Sequence, residues 1–287
     1  MLFLKALRIK QWVKNLTIFI PIIALGNGEI KNYLTLFIVY FSFSLIVSST
    51  YIINDLIDQE SDRLHPTKRL RPVASNRISK NIWIIFSISI FCIGNLVLYF
   101  VDISSLKLTF LYTIITLLYS IKLKFIKYFD ILSISFLFYI RILFGSEIFN
   151  IPISPYLLIF IIFSTIGIAT GKKYSILSDQ NIKNTKIKDF LKKNYSSSEL
   201  KTILNFSFFC SSLIYLIWIV FEKKETVNDF QFYNLILSFL LLVFFKYNFV
   251  VQTNQNNTEE ITEVMFNNRY MLTILILFLI FSMFGTF

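Results

Sequence analysis

Residues 33–62 read YLTLFIVYFSFSLIVSSTYIINDLIDQESD and combine a long apolar run with an acidic end. Residues 33–53 carry no charged side chain, and about 20 mostly apolar residues suffice for a helix to cross a bilayer. Acidic side chains then follow at once, with Asp55, Asp58 and Asp62. The stretch predicts a membrane-spanning helix that carries an acidic cluster at its end.

The composition of the whole chain supports a membrane protein. Hydrophobic residues make up 55% of the 287 residues and charged residues 16%, against roughly 25% charged residues in an average soluble domain. Only 7 glycines and 5 prolines are present, which excludes a collagen-like or disordered chain. Two cysteines, Cys92 and Cys210, lie in distant apolar runs, which indicates buried, inert thiols rather than a disulfide framework.

Apolar segments of spanning length recur along the chain. Open sheet edges cannot face lipid, so the segments are interpreted as helices rather than strands. We expect an all-α, polytopic membrane protein with about nine transmembrane helices in a single domain over residues 1–287. The predicted spans cover residues 15–30, 33–54, 81–100, 105–121, 130–149, 154–171, 200–221, 229–251 and 269–287.

The net charge of +11 is explained by sidedness rather than by nucleic-acid binding. With a cytoplasmic N-terminus, most of the 28 Lys and Arg residues fall in inside segments, as the positive-inside rule requires. Lys246 is counted among these inside cations, whereas Lys31, Lys107, Lys223 and Lys224 fall outside. We therefore predict a multi-pass membrane protein with its N-terminus in the cytoplasm.

Three segments are predicted to lie on the cytoplasmic side next to the spans. Residues 1–14 mix cations with apolar residues and are interpreted as an interfacial helix that contacts membrane lipids. The long polar loops 55–80 and 172–200 are predicted to carry the chemistry, because the loops on the other side are short.

The acidic end of the second span has a specific spacing. On a helix, Asn54, Asp55, Asp58 and Asp62 fall within an arc of about 100° over two turns. Neighbouring carboxylates repel one another, and a helix C-terminus favours cations instead. Oxygen ligands of this kind suit Mg²⁺ that is shared with substrate phosphates. A solvated acidic loop is the alternative interpretation.

Basic residues follow the carboxylates within a short loop. Lys68 and Arg71 stand next to the acids, an arrangement that can neutralise a leaving diphosphate together with a metal ion. Positive-inside charge alone is the alternative for part of this set. His65 is the only histidine, so it cannot form a histidine-based metal site, and it is predicted either to contact phosphate or to cap the loop.

Several motifs together resemble the UbiA superfamily of intramembrane prenyltransferases, in its decaprenyl-phosphate phosphoribosyltransferase branch. The acidic string Asn54–Asp62 resembles the first aspartate motif of the superfamily. The branch is indicated by further strings, namely Gln11-Trp12-x-Lys14-Asn15, His65-Pro66-x-Lys68-x-x-Arg71-Pro72-x-Ala74-Ser75, and Tyr119-Ser120-x-x-Leu123-Lys124 followed by Asp130, Arg141 and Gly145. The resemblance covers nearly the whole chain and implies a helical bundle around a central cavity open to the cytoplasm.

The resemblance implies an enzyme that joins a polyprenyl phosphate to ribose C1 of phosphoribosyl diphosphate and releases pyrophosphate. Asp55, Asp58 and Asp62, with Asn54, would bind Mg²⁺ and through it the diphosphate. Further substrate-binding candidates are His65, Lys68, Arg71, Lys14, Asn15, Lys122, Lys124, Asp130, Arg141, Lys172 and Lys173.

Two departures from the family pattern are visible. The second acidic motif of the superfamily is absent after the sixth predicted span, and Ile176 replaces the acid of the related branch. Asn76 stands where a glycine is common. These changes leave the presence of a second metal open.

Three other functions remain as alternatives. A prenyltransferase acting on an aromatic acceptor would use the same aspartates, but the strings at Tyr119–Lys124 and Gln11–Asn15 argue against it. A lipid transporter predicts broken helices and acids at the membrane midplane, whereas here the acids lie at helix ends. The loss of an acid at Ile176 would also fit an inactive lipid-binding protein.

Overall fold

A computed structural model describes residues 2–25, 33–64, 68–179, 186–223 and 229–254. All regular structure within these ranges is helical, which confirms the all-α prediction. The α-helices are α1 (Leu2–Ala6), α2 (Ile20–Leu25), α3 (Tyr33–Ile57), α4 (Gln59–Leu64), α5 (Lys80–Val101), α6 (Leu106–Ile121), α7 (Phe129–Phe149), α8 (Pro155–Ser178), α9 (Lys186–Asn194), α10 (Ser197–Trp218) and α11 (Asp229–Asn254). Short 3-10 turns at Lys68–Leu70, Ile103–Ser105 and Leu123–Phe125 connect several of them.

Six helical segments in the described part are long and apolar enough to cross a membrane. They correspond to α3, α5, α6, α7, α8 and α10. The segment of α6 begins earlier, at Ile103, and the segment of α10 continues to Glu222. The α11 helix matches the predicted span 229–251. The predicted span 269–287 lies outside the described residues, as does part of the span 15–30. A total of nine spans therefore stays a prediction.

The N-terminal segment departs from the single helix that was predicted over residues 1–14. After α1, Arg8 adopts a left-handed backbone with φ 52° and ψ 49°. A 3-10 helix then runs from Ile9 to Phe19. The chain therefore breaks at Arg8, because a left-handed residue cannot continue a right-handed helix.

The described chain forms two compact units. The first comprises residues 1–24, 28–152 and 180–190, and the second comprises residues 25–27, 153–179 and 191–287, each as far as it is described.

The core of the first unit is built around α3, which packs against α5 and α6. Phe43, Ile46 and Val47 of α3 are fully buried and pack with Tyr112 and Phe144. A second cluster joins Ala6 of α1 to Ile52, Val73 and Trp83, so the N-terminal segment is part of the folded unit. This packing positions both α1 and the loop after α4 beside the end of α3.

The second unit pairs α8 with α10, and α11 packs against both. Leu204, Phe208 and Phe249 form its apolar cluster. Lys246 of α11 is only 5% exposed and donates hydrogen bonds to Ser211 and Ser212. Its ammonium is thus enclosed by hydroxyl groups between the helices, and its assignment to the cytoplasmic side stays a prediction.

Candidate functional site

Helical backbone hydrogen bonds continue across the turn between α3 and α4. Asp58 lies in the turn between α3 and α4, yet its N–H donates to the Asn54 carbonyl at 2.9 Å. The Asp62 N–H in turn donates to the Asp58 carbonyl at 2.8 Å. Asp55 and Asp62 are almost fully buried, at 2% and 4% exposure. The helical spacing predicted for these acids is thus present in the structure.

Three cations from separate parts of the chain contact the three carboxylates. One nitrogen of Arg71, Nη1, donates to Asp62 Oδ2 at 2.7 Å and to Asp55 Oδ1 at 3.2 Å. Lys124 Nζ donates to Asp58 Oδ1 at 2.5 Å. Arg8 Nη2 also donates to Asp55 Oδ1. Because buried carboxylates are costly without counter-charges, these contacts hold the acidic cluster in the fold. We call Asp55, Asp58 and Asp62 with Arg8, Arg71 and Lys124 the charged cluster.

The loop that carries Arg71 is fastened to α4 by side-chain bonds to its backbone. Gln59 is buried, and its Nε2 donates to the Val73 carbonyl at 2.8 Å. Arg63 Nε donates to the Ala74 carbonyl at 3.2 Å. Val73 itself is fully buried in the apolar cluster with Ile52 and Trp83. The loop therefore presents Arg71 to the carboxylates from a rigid support.

Lys124 reaches the cluster from the connection between α6 and α7. Its side chain is almost completely buried, and its ammonium lies 5.4 Å from the centroid of the Phe125 ring. Lys122, two residues earlier, is exposed. The two lysines were predicted to have the same role, but they differ in the structure. Lys124 belongs to the charged cluster, whereas Lys122 is exposed.

Arg141 forms a different polar group, inside the helices of the first unit. It is 3% exposed, its Nη2 donates to the Tyr112 hydroxyl at 2.7 Å, and its Nε donates to Asn15 Oδ1 at 3.3 Å. Its guanidinium also lies 4.7 Å from the Phe138 ring centroid. Asn15 is held by Ser44 at 3.0 Å. Within the described residues, Arg141 forms no ion pair, and the hydrogen-bond partners of its guanidinium are the neutral groups of Tyr112 and Asn15.

The remaining predicted residues fall into three groups. Asp130 is fully buried in the first turn of α7, and Lys14 and Lys68 are partly buried. Lys172 and Lys173 lie on α8 in the second unit, so their placement at the charged cluster stays a prediction. His65 lies outside the described residues.

Three residues of these hydrogen-bond and ion-pair networks were not predicted from the sequence. Arg8 was counted only as an inside cation, and nothing in the sequence marks its left-handed backbone. Gln59 was overlooked between two acids, although a buried amide beside a loop is a common backbone anchor. Tyr112 has no sequence signal beyond being one of 15 tyrosines. Their roles depend on which segments the fold brings together.

The acidic residues fit Mg²⁺ by the chemistry of their donors. Asn54, Asp55, Asp58 and Asp62 supply only oxygen ligands. Among the residues described, no three Asp, Glu, His or Cys side chains converge on one point. Mg²⁺ usually binds through one or two carboxylates together with water and substrate phosphate, so a full protein cage is not required. Asp55 and Asp62 lie close enough together for both to accept from a single nitrogen of Arg71.

Comparison with known proteins identifies the class of this chain. Residues 15–267 match the model of the UbiA prenyltransferase family. The chain belongs to this family, which confirms the resemblance seen in its motifs. It is therefore a transferase and a multi-pass membrane protein.

Similar proteins include two phosphoribosyltransferases. The chain is 32% identical to the decaprenyl-phosphate phosphoribosyltransferase of Mycolicibacterium smegmatis over 79% of this chain and 72% of that protein. It is 30% identical to the protein of the same name from Mycobacterium tuberculosis over 76% of this chain and 74% of that protein. Both alignments agree with the branch that the motifs indicated.

A solved structure shares the fold. The UbiA homolog from Archaeoglobus fulgidus, solved with GPP and Mg²⁺, superposes with a TM-score of 0.70 at 15% identity. The match covers 100% of this chain and 97% of that protein. The helical architecture is therefore that of a UbiA-type membrane protein.

Proposed function

We propose that the protein transfers 5-phosphoribosyl from phosphoribosyl diphosphate to a polyprenyl phosphate in a Mg²⁺-dependent reaction and releases pyrophosphate. The observation that carries this proposal is the charged cluster at the end of α3, where three carboxylates meet three cations. The phosphoribosyltransferases at 30–32% identity support the choice of substrates. The A. fulgidus structure with Mg²⁺ supports the choice of metal.

In the proposed reaction, an oxygen of the lipid phosphate attacks ribose C1 and forms the new C1–O bond. The C1–O bond to the diphosphate breaks, and its electron pair leaves with pyrophosphate. The acceptor oxygen is already anionic, so a dedicated general base is unnecessary. Positioning and charge neutralisation would supply the rate.

The residues of the charged cluster have distinct proposed roles. Asp55 and Asp62, with Asp58 and Asn54, would hold Mg²⁺, which when bound neutralises the leaving diphosphate. Arg71 and Lys124 lie against these carboxylates and would contact the diphosphate oxygens directly. The chemistry would therefore be carried at one end of α3.

Further predicted contacts remain part of the proposal. Lys68 is proposed to contact the donor from the loop after α4, and His65 stays a substrate-binding candidate. Lys14, Asn15, Lys122 and Arg141 are proposed for the acceptor phosphate or the remaining phosphate oxygens. Asp130, Lys172 and Lys173 stay substrate-binding candidates. The N-terminus is proposed to be cytoplasmic and the membrane to be the bacterial inner membrane.

A transfer assay with a matched pair of variants tests the function. Membranes containing the protein are incubated with labelled phosphoribosyl diphosphate, Mg²⁺ and polyprenyl phosphates of several lengths, and label in the lipid fraction is measured. We expect Mg²⁺-dependent transfer that falls at least about a hundredfold in Asp58→Asn, because losing one contribution to the stabilisation of the leaving diphosphate's charge costs on this order. Glu60→Gln, an exposed acid on α4, serves as the control and is expected to keep full activity.

The same membranes separate the rival functions. A second set receives a prenyl diphosphate and aromatic acceptors, and a third measures movement of lipid between leaflets. Prenylation of an aromatic acceptor without ribosyl transfer would replace the proposed function with the prenyltransferase alternative. If no ribosyl group is transferred to a lipid of any chain length, the proposed function is excluded.

A further inference from the structure

We propose that Arg8 binds the phosphate of the lipid acceptor, so that the N-terminal segment forms the acceptor side of the site. This inference rests on the proposed function, since it assigns one substrate of that reaction to one residue. Arg8 was not among the residues that the sequence motifs single out. Its placement follows entirely from the fold.

Arg8 contacts the one acid of the charged cluster that falls within a candidate membrane span. Asp55, which Arg8 contacts, falls within the candidate span Leu34–Ile57, whereas Asp58 and Asp62 lie beyond the end of that span. The Arg8 guanidinium also lies 5.3 Å from the centroid of the Tyr51 ring, one turn further into the span. A lipid whose chain lies in the bilayer and whose phosphate must reach the cluster would therefore meet Arg8 first.

The segment that carries Arg8 is suited to lie against lipid. Leu4, Ile9 and Leu16 expose 62%, 52% and 47% of their surface, although the segment is firmly packed on its other side. Phe3 contacts the rings of Trp83 and Phe86, with centroids 5.1 and 4.8 Å away, and Ala6 is buried. A segment with one packed face and one apolar exposed face is typical of an interfacial anchor.

The backbone around Arg8 is held in place by its neighbours. The Leu7 carbonyl accepts hydrogen bonds from Ser48 Oγ at 2.8 Å and from Trp12 Nε1 at 3.2 Å. Trp12 Nε1 also donates to Ser48 at 3.0 Å. These bonds fix the chain on either side of the left-handed residue and direct the Arg8 side chain towards α3.

The chemistry of arginine matches a phosphate monoester. A guanidinium carries five N–H donors in a planar fork, and its contact with Asp55 uses Nη2. Two anions, the lipid phosphate and the donor diphosphate, must come together for the reaction, and their repulsion requires a cation between them. Arg8 and Arg71 both contact Asp55 Oδ1, but Arg71 also contacts Asp62, beyond the end of the span. The Arg8 guanidinium instead lies against Tyr51, one turn further into the span, and this places it on the acceptor side in our proposal.

Steady-state kinetics distinguish the two substrates. We expect Arg8→Ala to raise the KM for polyprenyl phosphate at least about tenfold, because a charge-assisted hydrogen bond is lost. The KM for phosphoribosyl diphosphate should change less than about threefold in the same variant, and Arg8→Lys should restore part of the loss because it keeps the charge. Lys10→Ala removes an exposed cation two residues away and is expected to leave both KM values unchanged.

Ligand binding provides a readout that does not depend on turnover. Farnesyl phosphate is titrated into purified protein in micelles while the tryptophan fluorescence is followed, since Trp12 contacts the residue before Arg8. We expect saturable binding that weakens about tenfold in Arg8→Ala but not in Lys10→Ala. Farnesol and inorganic phosphate, as separate probes, should bind more weakly than farnesyl phosphate, because each has only one of the two recognised parts.

Several outcomes would overturn the assignment. If Arg8→Ala raises only the KM for phosphoribosyl diphosphate, Arg8 belongs to the donor side. If Lys10→Ala raises the KM for polyprenyl phosphate as much as Arg8→Ala does, the effect is a general attraction of anionic lipid by positive charge. If Arg8→Ala does not fold, as judged by thermal unfolding, Arg8→Gln takes its place. If the wild type transfers no ribosyl group but binds farnesyl phosphate through Arg8, the proposed function fails while the lipid-phosphate site stands.

Discussion

At the scale of single residues, Asn76 shows how a departure from a family pattern is accommodated. The motif resemblance leads us to expect glycine at this position, and here Asn76 has a φ of 56°. This left-handed region is open to glycine, and asparagine tolerates it better than other side chains do. The substitution therefore preserves the turn that follows Arg71.

This backbone conformation predicts the effect of substitutions at Asn76. We expect Asn76→Gly to change the free energy of unfolding little, and Asn76→Val to destabilise the protein by about 1–3 kcal/mol, because a β-branched residue is strained at positive φ. Thermal unfolding in detergent micelles measures both. Arg77→Val, at the exposed neighbouring residue, is the control, and an equal loss there would contradict the strain argument.

A second prediction concerns the buried partner of Arg141. Tyr112→Phe removes the hydroxyl that accepts from Arg141 Nη2 at 2.7 Å and leaves that donor unbonded. We expect a loss of about 1–2 kcal/mol in the free energy of unfolding, because a buried charged donor is left without its acceptor. Tyr99→Phe on α5, which is half exposed, should have no measurable effect. Equal stability of the two variants would show that the bond contributes nothing.

At the scale of elements, α7 approaches the N-terminal 3-10 helix as closely as backbone atoms allow. A Cβ atom added to Gly145 would lie 1.8 Å from the Ile18 carbonyl oxygen, far inside van der Waals contact. The approach places Asn15 of the 3-10 helix against Arg141 of α7. Gly145, which the sequence marked only as a motif residue, is thus a packing requirement.

This close contact predicts a large effect of a small side chain. We expect Gly145→Ala to destabilise the protein by about 3 kcal/mol or more, because the clash is with backbone and cannot be relieved by a rotamer change. Thermal unfolding of the purified protein tests this. Leu132→Ala, at an exposed position of the same helix, should cost much less, and a similar loss at both sites would refute the packing argument.

Helix boundaries were predicted well wherever a long apolar run decided them. The predicted span 81–100 corresponds to Lys80–Val101 and the span 130–149 to Phe129–Phe149. The segment 1–14 was predicted poorly, because its break at Arg8 depends on packing of Leu2 and Ala6 against α3 and α5 rather than on any local breaker. Amphipathic periodicity indicates a helix but not where tertiary contacts interrupt it.

At the scale of the whole molecule, the orientation in the membrane is open to a direct test. In a variant without Cys92 and Cys210, single cysteines replace Lys80 and Lys107, which are both exposed. With an N-terminus in the cytoplasm, a membrane-impermeant maleimide should label Lys107→Cys in intact spheroplasts and Lys80→Cys only after lysis. The reverse pattern would invert the topology and move the charged cluster to the other side.

The sequence by itself determined the class of protein, because apolar length and helical spacing are local properties. The runs between residues 33 and 178 predict helices, and the spacing of Asp55, Asp58 and Asp62 places them on one face. Only the tertiary structure decided which cations meet these acids. Lys124 is 66 residues away from Asp58 and Arg8 is 47 residues away from Asp55, and such pairings depend on how helices pack rather than on any local pattern.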